Sequence, residues 1–319
     1  MSRVLRRSPV PACVWPALLA VALVGIAAGG SSATWQRHTP MPQARSEVAA
    51  ARAGSEIVVI GGFVRDGSNS ARVDAYSVSS DRWRRLPDLP VAVDHAAAAA
   101  VNGRVYLIGG YGADRLPRRS VFVLAGGSWR QMAPLPDGRA AAAAAIARGR
   151  LYVVGGRNGR RALARDAFAL ALGSQHWTRI PGPRPREHLA AAAALGRVYA
   201  IGGRAAGDDT NTARFEAYDP AARRWRGLAS LPGARGGTGA AALGGRIVSV
   251  GGEEPAGTIR SVYAYDVRSR RWSRLPDLPT PRHGLGVVAA SGRIWALAGG
   301  PVPGLTVSGA VESLKVDAA

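Results

Sequence analysis

Short runs of β-branched and other apolar residues return along the chain at a nearly fixed interval, and each run ends in two glycines. The six glycine pairs lie 46 to 49 residues apart, and a tryptophan stands 25 to 27 residues before each pair. The pairs are Gly61-Gly62, Gly109-Gly110, Gly155-Gly156, Gly202-Gly203, Gly251-Gly252 and Gly299-Gly300, and the tryptophans are Trp35, Trp83, Trp129, Trp177, Trp225 and Trp272. Self-similarity with this period predicts a propeller or another array of repeats.

The second repeat illustrates which elements the pattern predicts. Asn102-Gly103, a pair favoured in two-residue hairpin turns, separates residues 96–101 from the apolar run 104–108, so both are predicted as strands. Alanine favours helices, but the position of the Ala-rich stretch before a turn and a strand overrides that preference. Residues 121–124 are a third predicted strand, and Trp129 opens a fourth. Four antiparallel strands in a repeat of this length are typical of a propeller blade.

The pattern as a whole predicts an all-β, six-bladed propeller over residues 34–319, with four antiparallel strands in each blade. The propeller sequence begins with a fourth-strand pattern at Trp35 and ends with a third-strand pattern at residues 311–316, after which no Trp follows. We therefore expect the N-terminal strand to complete the last blade. A ring closed in this way leaves no open sheet edge.

Residues 1–33 differ from the rest of the chain. Arg3, Arg6 and Arg7 precede an apolar run from Cys13 to Ala28, and small residues follow it. This order is typical of a secretory signal peptide. Since the run approaches the roughly 18 residues of a membrane-spanning helix, an uncleaved N-terminal anchor is the alternative. We expect a secreted, extracytoplasmic protein (periplasm or cell exterior) that contacts a membrane only through this segment, if the segment is not cleaved.

The chain is strongly basic, with 42 Lys and Arg against 21 Asp and Glu. Lys315 is the only lysine, and Ala and Gly are abundant, which indicates a coding bias rather than a selected cationic surface. Charges on outer strands also discourage sheets from pairing edge to edge. No nucleic-acid motif occurs, so we expect no nucleic-acid partner. We expect a monomer.

Five repeats carry an arginine just after their Pro-containing step. These residues are Arg45, Arg139, Arg186, Arg235 and Arg282, and the second repeat has Val93 there. Because neighbouring strands run antiparallel, this connection shares a face with the loops after Gly-Gly, where a scaffold of this kind places function. Five guanidiniums near one channel mouth would attract carboxylate, sulfate or phosphate groups. The alternative is that each arginine bonds carbonyls or acids of the adjoining blade.

Three histidines fall beside the same position, at His95, His188 and His283, and Asp94 and Glu187 neighbour two of them. An acid next to a histidine can transfer protons. The alternative is that the acids neutralise nearby arginines and the histidines are polar residues of the rim. The three histidines and Glu187 join the five arginines as candidate ligand-binding residues.

Local metal and cofactor motifs are absent from the sequence. It has no His-x-x-x-His or Cys-x-x-Cys spacing, no phosphate-binding loop and no serine nucleophile elbow, so we expect no metal and no cofactor. The acidic loop Asp208-Asp209-Thr210-Asn211 is compatible with Ca²⁺ but is more typical of an ordinary turn.

The repeat resembles the kelch repeat, which has Gly-Gly after its second strand, a Tyr in its third and a Trp in its fourth. Tyr76, Tyr218 and Tyr265 match the third-strand Tyr, whereas the positions of Leu124, Leu170 and Leu314 depart from it. The resemblance covers residues 34–316 and implies a kelch-type propeller whose arginine position often contributes to a binding face. Among bacterial secreted kelch proteins, the chain is similar to the N-acetylneuraminate (sialic acid) mutarotase and epimerase group. It also resembles the galactose-oxidase propeller. The copper site of that enzyme needs a Tyr cross-linked to a Cys, whereas the only cysteine here, Cys13, lies in the predicted signal segment and outside the propeller sequence.

Three functions remain open at this point. The first is a non-catalytic binding module for an anionic glycan, acidic sugar or acidic protein segment on the arginine-bearing face. The second is a cofactor-free, mutarotase-like isomerase of an acidic sugar, for which Glu187, His188 and His283 would supply the acid and base groups. The third is a structural envelope protein whose propeller faces contact other proteins. Fold alone does not choose between them.

Overall fold

The computed structural model describes residue 1 and residues 34–316. The chain divides into two compact units, residues 1–32 and residues 33–319. The predicted signal peptide or anchor at residues 1–33 lies outside the described residues, apart from Met1. Within the described part, no helix is long and apolar enough to cross a bilayer.

The described residues form six four-stranded antiparallel sheets, the six blades, and contain no α-helix. The prediction of a six-bladed, all-β propeller is thereby confirmed. The strands, from the innermost outwards, are as follows: blade 1, Ala49–Ala53, Glu56–Ile60, Val73–Ser77 and Arg82–Leu86; blade 2, Ala97–Val101, Arg104–Ile108, Val121–Ala125 and Ser128–Gln131; blade 3, Ala143–Ala147, Arg150–Val154, Asp166–Ala171 and Trp177–Pro181; blade 4, Ala190–Ala194, Arg197–Ile201, Phe215–Asp219 and Arg224–Gly227; blade 5, Gly239–Leu243, Arg246–Val250, Val262–Asp266 and Arg271–Leu275; blade 6, Gly286–Ala290, Arg293–Leu297, Val311–Lys315 and Trp35–Arg37. Blade 5 also has a short hairpin of Glu253–Glu254 with Gly257–Thr258, and a 3₁₀ turn covers Asp208–Thr210.

Burial follows the order of the strands in each blade. Second strands are buried on both faces and read as continuous apolar runs, as in Val105–Ile108. First strands line the central channel, where alternate small residues such as Ala98 face the opening and Ala97 and Ala99 pack into the core. The core lies between the blades, since each apolar cluster joins the facing surfaces of neighbouring sheets.

The N-terminal strand closes the ring as predicted. Trp35 pairs with Leu314 and Arg37 with Glu312, so the first strand of the propeller is the outermost strand of the last blade. The N-terminal strand therefore covers the edge of the third strand, Val311–Lys315.

The six repeated tryptophans link neighbouring blades. Each indole N–H donates to a backbone carbonyl in the segment that leaves the preceding outer strand. The bonds are Trp35 to Pro276, Trp83 to Thr39, Trp129 to Pro87, Trp177 to Ala133, Trp225 to Pro181 and Trp272 to Ala229, at 2.8 to 3.0 Å. The Trp of the repeat is thus a bond between blades as well as a packing residue, which explains why every blade has one.

Candidate functional site

The five repeated arginines are buried inside the blades. Their side chains are 0 to 2% exposed, and each guanidinium bonds carbonyls or acidic and hydroxyl groups of its own blade. Arg282 shows the full set: it donates to the carbonyls of Ala296, Ala298 and Thr280 and to Glu312 Oε2, at 2.6 to 2.9 Å. The expectation that these guanidiniums line the channel mouth is therefore corrected, because the side chains are buried and bond groups of their own blade.

The other four arginines follow the same plan with local variations. Their third-strand or adjoining partners are Asp74 for Arg45, Asp166 for Arg139, Glu216 for Arg186 and Ser261 for Arg235. Burial lowers the pKa of Arg45 and of Arg235 to about 10, which leaves both side chains charged at neutral pH. All five side chains are buried within their blades and do not line the cavity described below.

The residue two places after the arginine position forms a ring around the channel. We call these six residues the inner ring: Glu47, His95, Ala141, His188, Gly237 and Gly284. The backbone N–H of each member after the first donates to the carbonyl of the member before it, at 2.9 to 3.1 Å. Val48 N–H closes the ring on the carbonyl of Gly284 at 3.3 Å. The six blades therefore hold six side-chain positions at one mouth of the channel.

Every inner-ring residue has a positive φ. The angles are 50° for Glu47, 50° for His95, 49° for Ala141 and 51° for His188, with 62° and 57° for the two glycines. A non-glycine residue in this left-handed region carries about 1–2 kcal/mol of backbone strain. Glycine would relieve it, and the fifth and sixth repeats use glycine. Side chains at the strained positions of the first, second and fourth repeats are titratable, and strain retained around such groups is typical of functional sites.

Two further sets of residues surround the inner ring. In the first five repeats, the residue just after the arginine position bridges to the residue just after the Gly-Gly pair, and in the sixth it bridges to the second glycine of the pair. The bridged pairs are Ser46 with Phe63, Asp94 with Tyr111, Ala140 with Arg157, Glu187 with Arg204, Gly236 with Glu253 and His283 with Gly300. This register brings charged groups from separate repeats to one face.

Glu47, His95, His188 and His283 meet at the centre of that face. His95 Nε2 lies 2.9 Å from His188 Nε2 and 3.2 Å from Glu47 Oε2. The other oxygen of Glu47 lies 3.0 Å from His283 Nδ1. The side chains of His95, His188 and Glu47 are 9 to 11% exposed, so they are largely shielded but open towards the channel mouth.

Carboxylates lie beside the outer nitrogens of two of these imidazoles. His95 Nδ1 bonds Asp94 Oδ1, and His188 Nδ1 lies 3.5 Å from Glu187 Oε1. Asp94 is fully buried and also accepts from Arg115 at 2.7 Å and from Asn69 at 2.8 Å. Asp94 thus orients the His95 ring so that its Nε2 atom points to the centre, whereas Glu187 approaches His188 without a hydrogen bond.

Burial and neighbouring charges shift the pKa values of the cluster in opposite directions. Burial alone would lower the pKa of His95, but the carboxylates of Glu47 and Asp94 outweigh it and raise the pKa. The pKa of His283 is raised in the same way, against its burial, chiefly by Glu47. Burial lowers the pKa of His188. Burial would raise the pKa of Glu47, but the three imidazoles hold it well below its usual range.

Two arginines of the loops after Gly-Gly, Arg115 and Arg204, face the same opening, and a third, Arg157, lies beside Glu187. Arg115 is 44% exposed, and its guanidinium lies over the rings of Tyr111 and Phe63 at 4.4 and 5.3 Å. Arg204 bonds Glu253 at 2.7 Å, and Arg157 bonds Glu187. Together with His188, Arg157 lowers the pKa of Glu187 to about 2, although burial opposes the shift.

A cavity of about 550 Å³ opens above the inner ring. Its floor is formed by Glu47 and the three histidines, and its walls include Arg115, Arg204, Glu253, Phe63, Asn69, Ala113 and Leu305. This volume lies within the range of about 300–1,000 Å³ that small-ligand sites occupy. The loop Asp208–Thr210 does not line this cavity; it forms a turn in which the Thr210 hydroxyl donates to the carbonyl of Gly207.

The structure thus brings together the candidate residues His95, His188, His283 and Glu187. The five candidate arginines are instead buried inside the blades. Sequence reasoning missed Glu47 and Arg115 as members of the site. A usable signal for Glu47 was present, because it stands at the same place in its repeat as His95 and His188. Arg115 has no such signal, since the loops after Gly-Gly differ in every repeat.

A ring of six Gly-Gly blades with a polar cavity at its mouth defines the class of repeat propeller to which the chain conforms. The family model described as the KLHDC2/KLHL20/DRC7 Kelch-repeats domain matches residues 30–181 and 120–300. The chain belongs to the kelch-repeat family, and propellers of this family commonly serve as protein-interaction modules. No curated protein is similar enough to the chain to give a match.

Proposed function

We propose that this kelch propeller is a secreted binding module, and that it binds a carboxylate-bearing ligand in the cavity above the inner ring. The best candidate is an acidic sugar or the end of an anionic glycan. The observation that carries the proposal is the concentration of polar, strained and partly exposed groups at this mouth of the channel. The first strands line the middle of the channel mostly with small side chains, such as Ala98 and Ala144.

The charges of the cavity support an anionic group with polar neighbours. Arg115 presents a partly exposed guanidinium whose planar donors match a carboxylate. The aromatic ring of Tyr111 packs against this guanidinium and restricts its motion. Arg204 adds a second guanidinium to the lining of the cavity. Glu47 and Glu253 add acceptors, which suit hydroxyl or amide groups of the same ligand.

The apolar side of the cavity supports a sugar ring or a short aliphatic part in the same ligand. Phe63, Ala113 and Leu305 lie along it, and Leu305 is 64% exposed. A volume of about 550 Å³ accommodates one or two sugar units or the tip of a peptide, but not a folded domain. An acidic protein segment presenting one carboxylate is the alternative ligand.

A mutarotase-like isomerase is the second candidate function. The pairs His95–Asp94 and His188–Glu187 favour it, because ring opening of a sugar hemiacetal needs only a positioned acid and a positioned base. The binding reaction is common to both candidates. They differ in whether the anomers of a bound sugar exchange faster than in buffer.

Substituting Arg115 by methionine is expected to weaken binding of the carboxylate ligand at least about tenfold, because the guanidinium supplies a charge-assisted pair of donors. The measurement is an NMR titration with sialic acid, other acidic sugars, their neutral analogues and a Glu-rich peptide. The same spectra report anomer exchange and thus test the second candidate.

The matched control is Arg85→Met, which removes an arginine of similar exposure, paired with Asp88, on the outer strand of blade 1. It should leave binding unchanged. Equal binding of acidic and neutral sugars, or binding insensitive to Arg115→Met, would contradict the proposal.

A further inference from the structure

We infer that Glu47, His95 and His188 form a binding site for a divalent transition-metal ion, with Zn²⁺ as the best fit. The site joins three blades at the inner ring. The inference concerns the cavity floor alone and does not depend on the carboxylate ligand proposed above.

The distances between the donor atoms support this assignment. His95 Nε2 is 2.9 Å from His188 Nε2 and 3.2 Å from Glu47 Oε2, and the three donor atoms all lie within 4.8 Å of one another. Zinc bound at about 2.0–2.1 Å by nitrogen and oxygen in a tetrahedron places neighbouring donor atoms about 3.3 Å apart. The observed spacing of His95 to its two neighbours is close to that edge length.

The orientation of the two imidazoles supplies a second argument. An ionised carboxylate can only accept hydrogen bonds, so the contact of His95 Nδ1 with Asp94 places the ring hydrogen of a neutral His95 on Nδ1. The approach of His188 Nδ1 to Glu187 favours the same tautomer. Both Nε2 atoms then present lone pairs to each other and to Glu47 Oε2. Three converging lone pairs repel unless a cation lies between them.

Each of the three side chains also has a polar neighbour on its outer side. Asp94 bonds Nδ1 of His95, and Glu187 Oε1 lies 3.5 Å from Nδ1 of His188. His283 bonds Oε1 of Glu47 at 3.0 Å, so that Oε2 remains for the centre. Carboxylates behind histidine ligands are a recurring feature of zinc sites because they orient the ring and raise its basicity. Here Asp94 bonds His95 in this way, and Glu187 lies 3.5 Å behind His188.

The three residues leave room for exchange at the ion. All three line the cavity of about 550 Å³ on one side of the ring and a smaller cavity of about 90 Å³ on the other. Three protein ligands with an open fourth position are typical of zinc sites that bind a water or a substrate oxygen. The ion would therefore be reachable from the mouth.

The repeat period explains why no local motif revealed this site. The ligands are 48 and 93 residues apart, because each comes from the inner-ring position of its own blade. The expectation of no metal considered only short spacings within one segment.

The alternative to a metal ion is a proton shared between the imidazoles of His95 and His188, which would also remove the repulsion of the lone pairs. A metal titration distinguishes the bound ion from the shared proton. Untagged protein is freed of metals and titrated with Zn²⁺ by calorimetry, and with Co²⁺ by visible absorption. We expect one ion per chain and intense absorption bands of a four-coordinate Co²⁺. No heat of Zn²⁺ binding and no retained zinc after dialysis would overturn the inference in favour of the shared proton.

Substitutions at the inner ring test the ligands one by one. His95→Ala and His188→Ala keep the backbone compatible, because Ala141 occupies the same ring position with a φ of 49°. Glu47→Gln keeps the shape of the side chain, so it tests the site even if an alanine variant does not fold. Each should weaken Zn²⁺ binding more than about 100-fold, and Asp94→Asn, which removes an outer partner only, should weaken it about 10- to 100-fold.

His176→Ala is the control, because His176 is exposed and lies beside an outer strand. It should leave Zn²⁺ binding unchanged. Undiminished binding in the His95, His188 and Glu47 variants would place the ion elsewhere and overturn the assignment. Because Arg115 is not among the ligands, an unsubstituted protein that binds the acidic sugar but no Zn²⁺ would contradict this inference and leave the proposed binding function standing.

Discussion

Replacing Arg282 by methionine is expected to lower the free energy of unfolding by about 3–5 kcal/mol, because it leaves a buried carboxylate without its partner. Glu312 is 1% exposed, and Arg282 Nη1 lies 2.6 Å from its Oε2. The same guanidinium satisfies the carbonyls of Ala296, Ala298 and Thr280. Methionine fills much of the space but donates no hydrogen bond, so four acceptors lose a partner at once.

Chemical denaturation of the variant measures this loss. Arg85→Met is the matched control, because Arg85 pairs with Asp88 at the surface and both side chains are 49% exposed. Exposed pairs contribute little, so the control should unfold almost as the unsubstituted protein does. A variant of Arg282 that is as stable as this control would contradict the structural role of the repeated arginines.

Replacing Gly109 by alanine is expected to lower the free energy of unfolding by about 3 kcal/mol or more. Gly109 has a φ of 62°, and a Cβ there would lie 2.1 Å from the carbonyl oxygen of Arg139 in the next repeat. The loss combines backbone strain of about 1–2 kcal/mol with the displacement of a connection between two blades. That connection accepts a hydrogen bond from Gly110 N–H at 2.8 Å, which the displacement would disturb.

Gly103→Ala separates the two contributions. Gly103 has a φ of 72°, but a Cβ there would meet nothing within 4 Å. It should therefore show the backbone strain alone, about 1–2 kcal/mol. Equal destabilisation by the two substitutions in denaturant melts would mean that close approach between blades does not explain the Gly-Gly pair.

The architecture could be predicted from the sequence because one pattern repeats six times. Local propensity alone would assign a helix to Ala97–Val101, but the repeat places this stretch before a turn and a strand, and the structure agrees. The closing of the ring by Trp35 followed from the register of the last repeat in the same way. Because the pattern occurs six times, the strand assignment does not depend on single positions, such as the leucines that replace the third-strand Tyr.

The site could be predicted only in part. His95, His188, His283 and Glu187 lie on the face that the strand order predicts. The repeated arginines of that face were expected to line the channel mouth, which they would do only if their donors were free. Their partners, such as Asp74 and Glu312, lie about 30 residues further along the chain in the third strand, and their contacts depend on how the blade folds. Arg115 reaches the cavity from a loop whose course no repeat predicts.

Structural and ligand-binding residues occupy different positions of the repeat in our account, and the stability of His188→Gly measures this separation. The fifth and sixth repeats already have glycine at this inner-ring position, and glycine adopts the φ of 51° found at His188 without strain. His188 Nδ1 has no hydrogen-bond partner, and the ring is largely buried. If this histidine is retained for ligand binding, its removal should change the free energy of unfolding by no more than about 1 kcal/mol in either direction. A loss of more than about 2 kcal/mol in the denaturation of His188→Gly would instead make the inner-ring histidine part of what holds the propeller together.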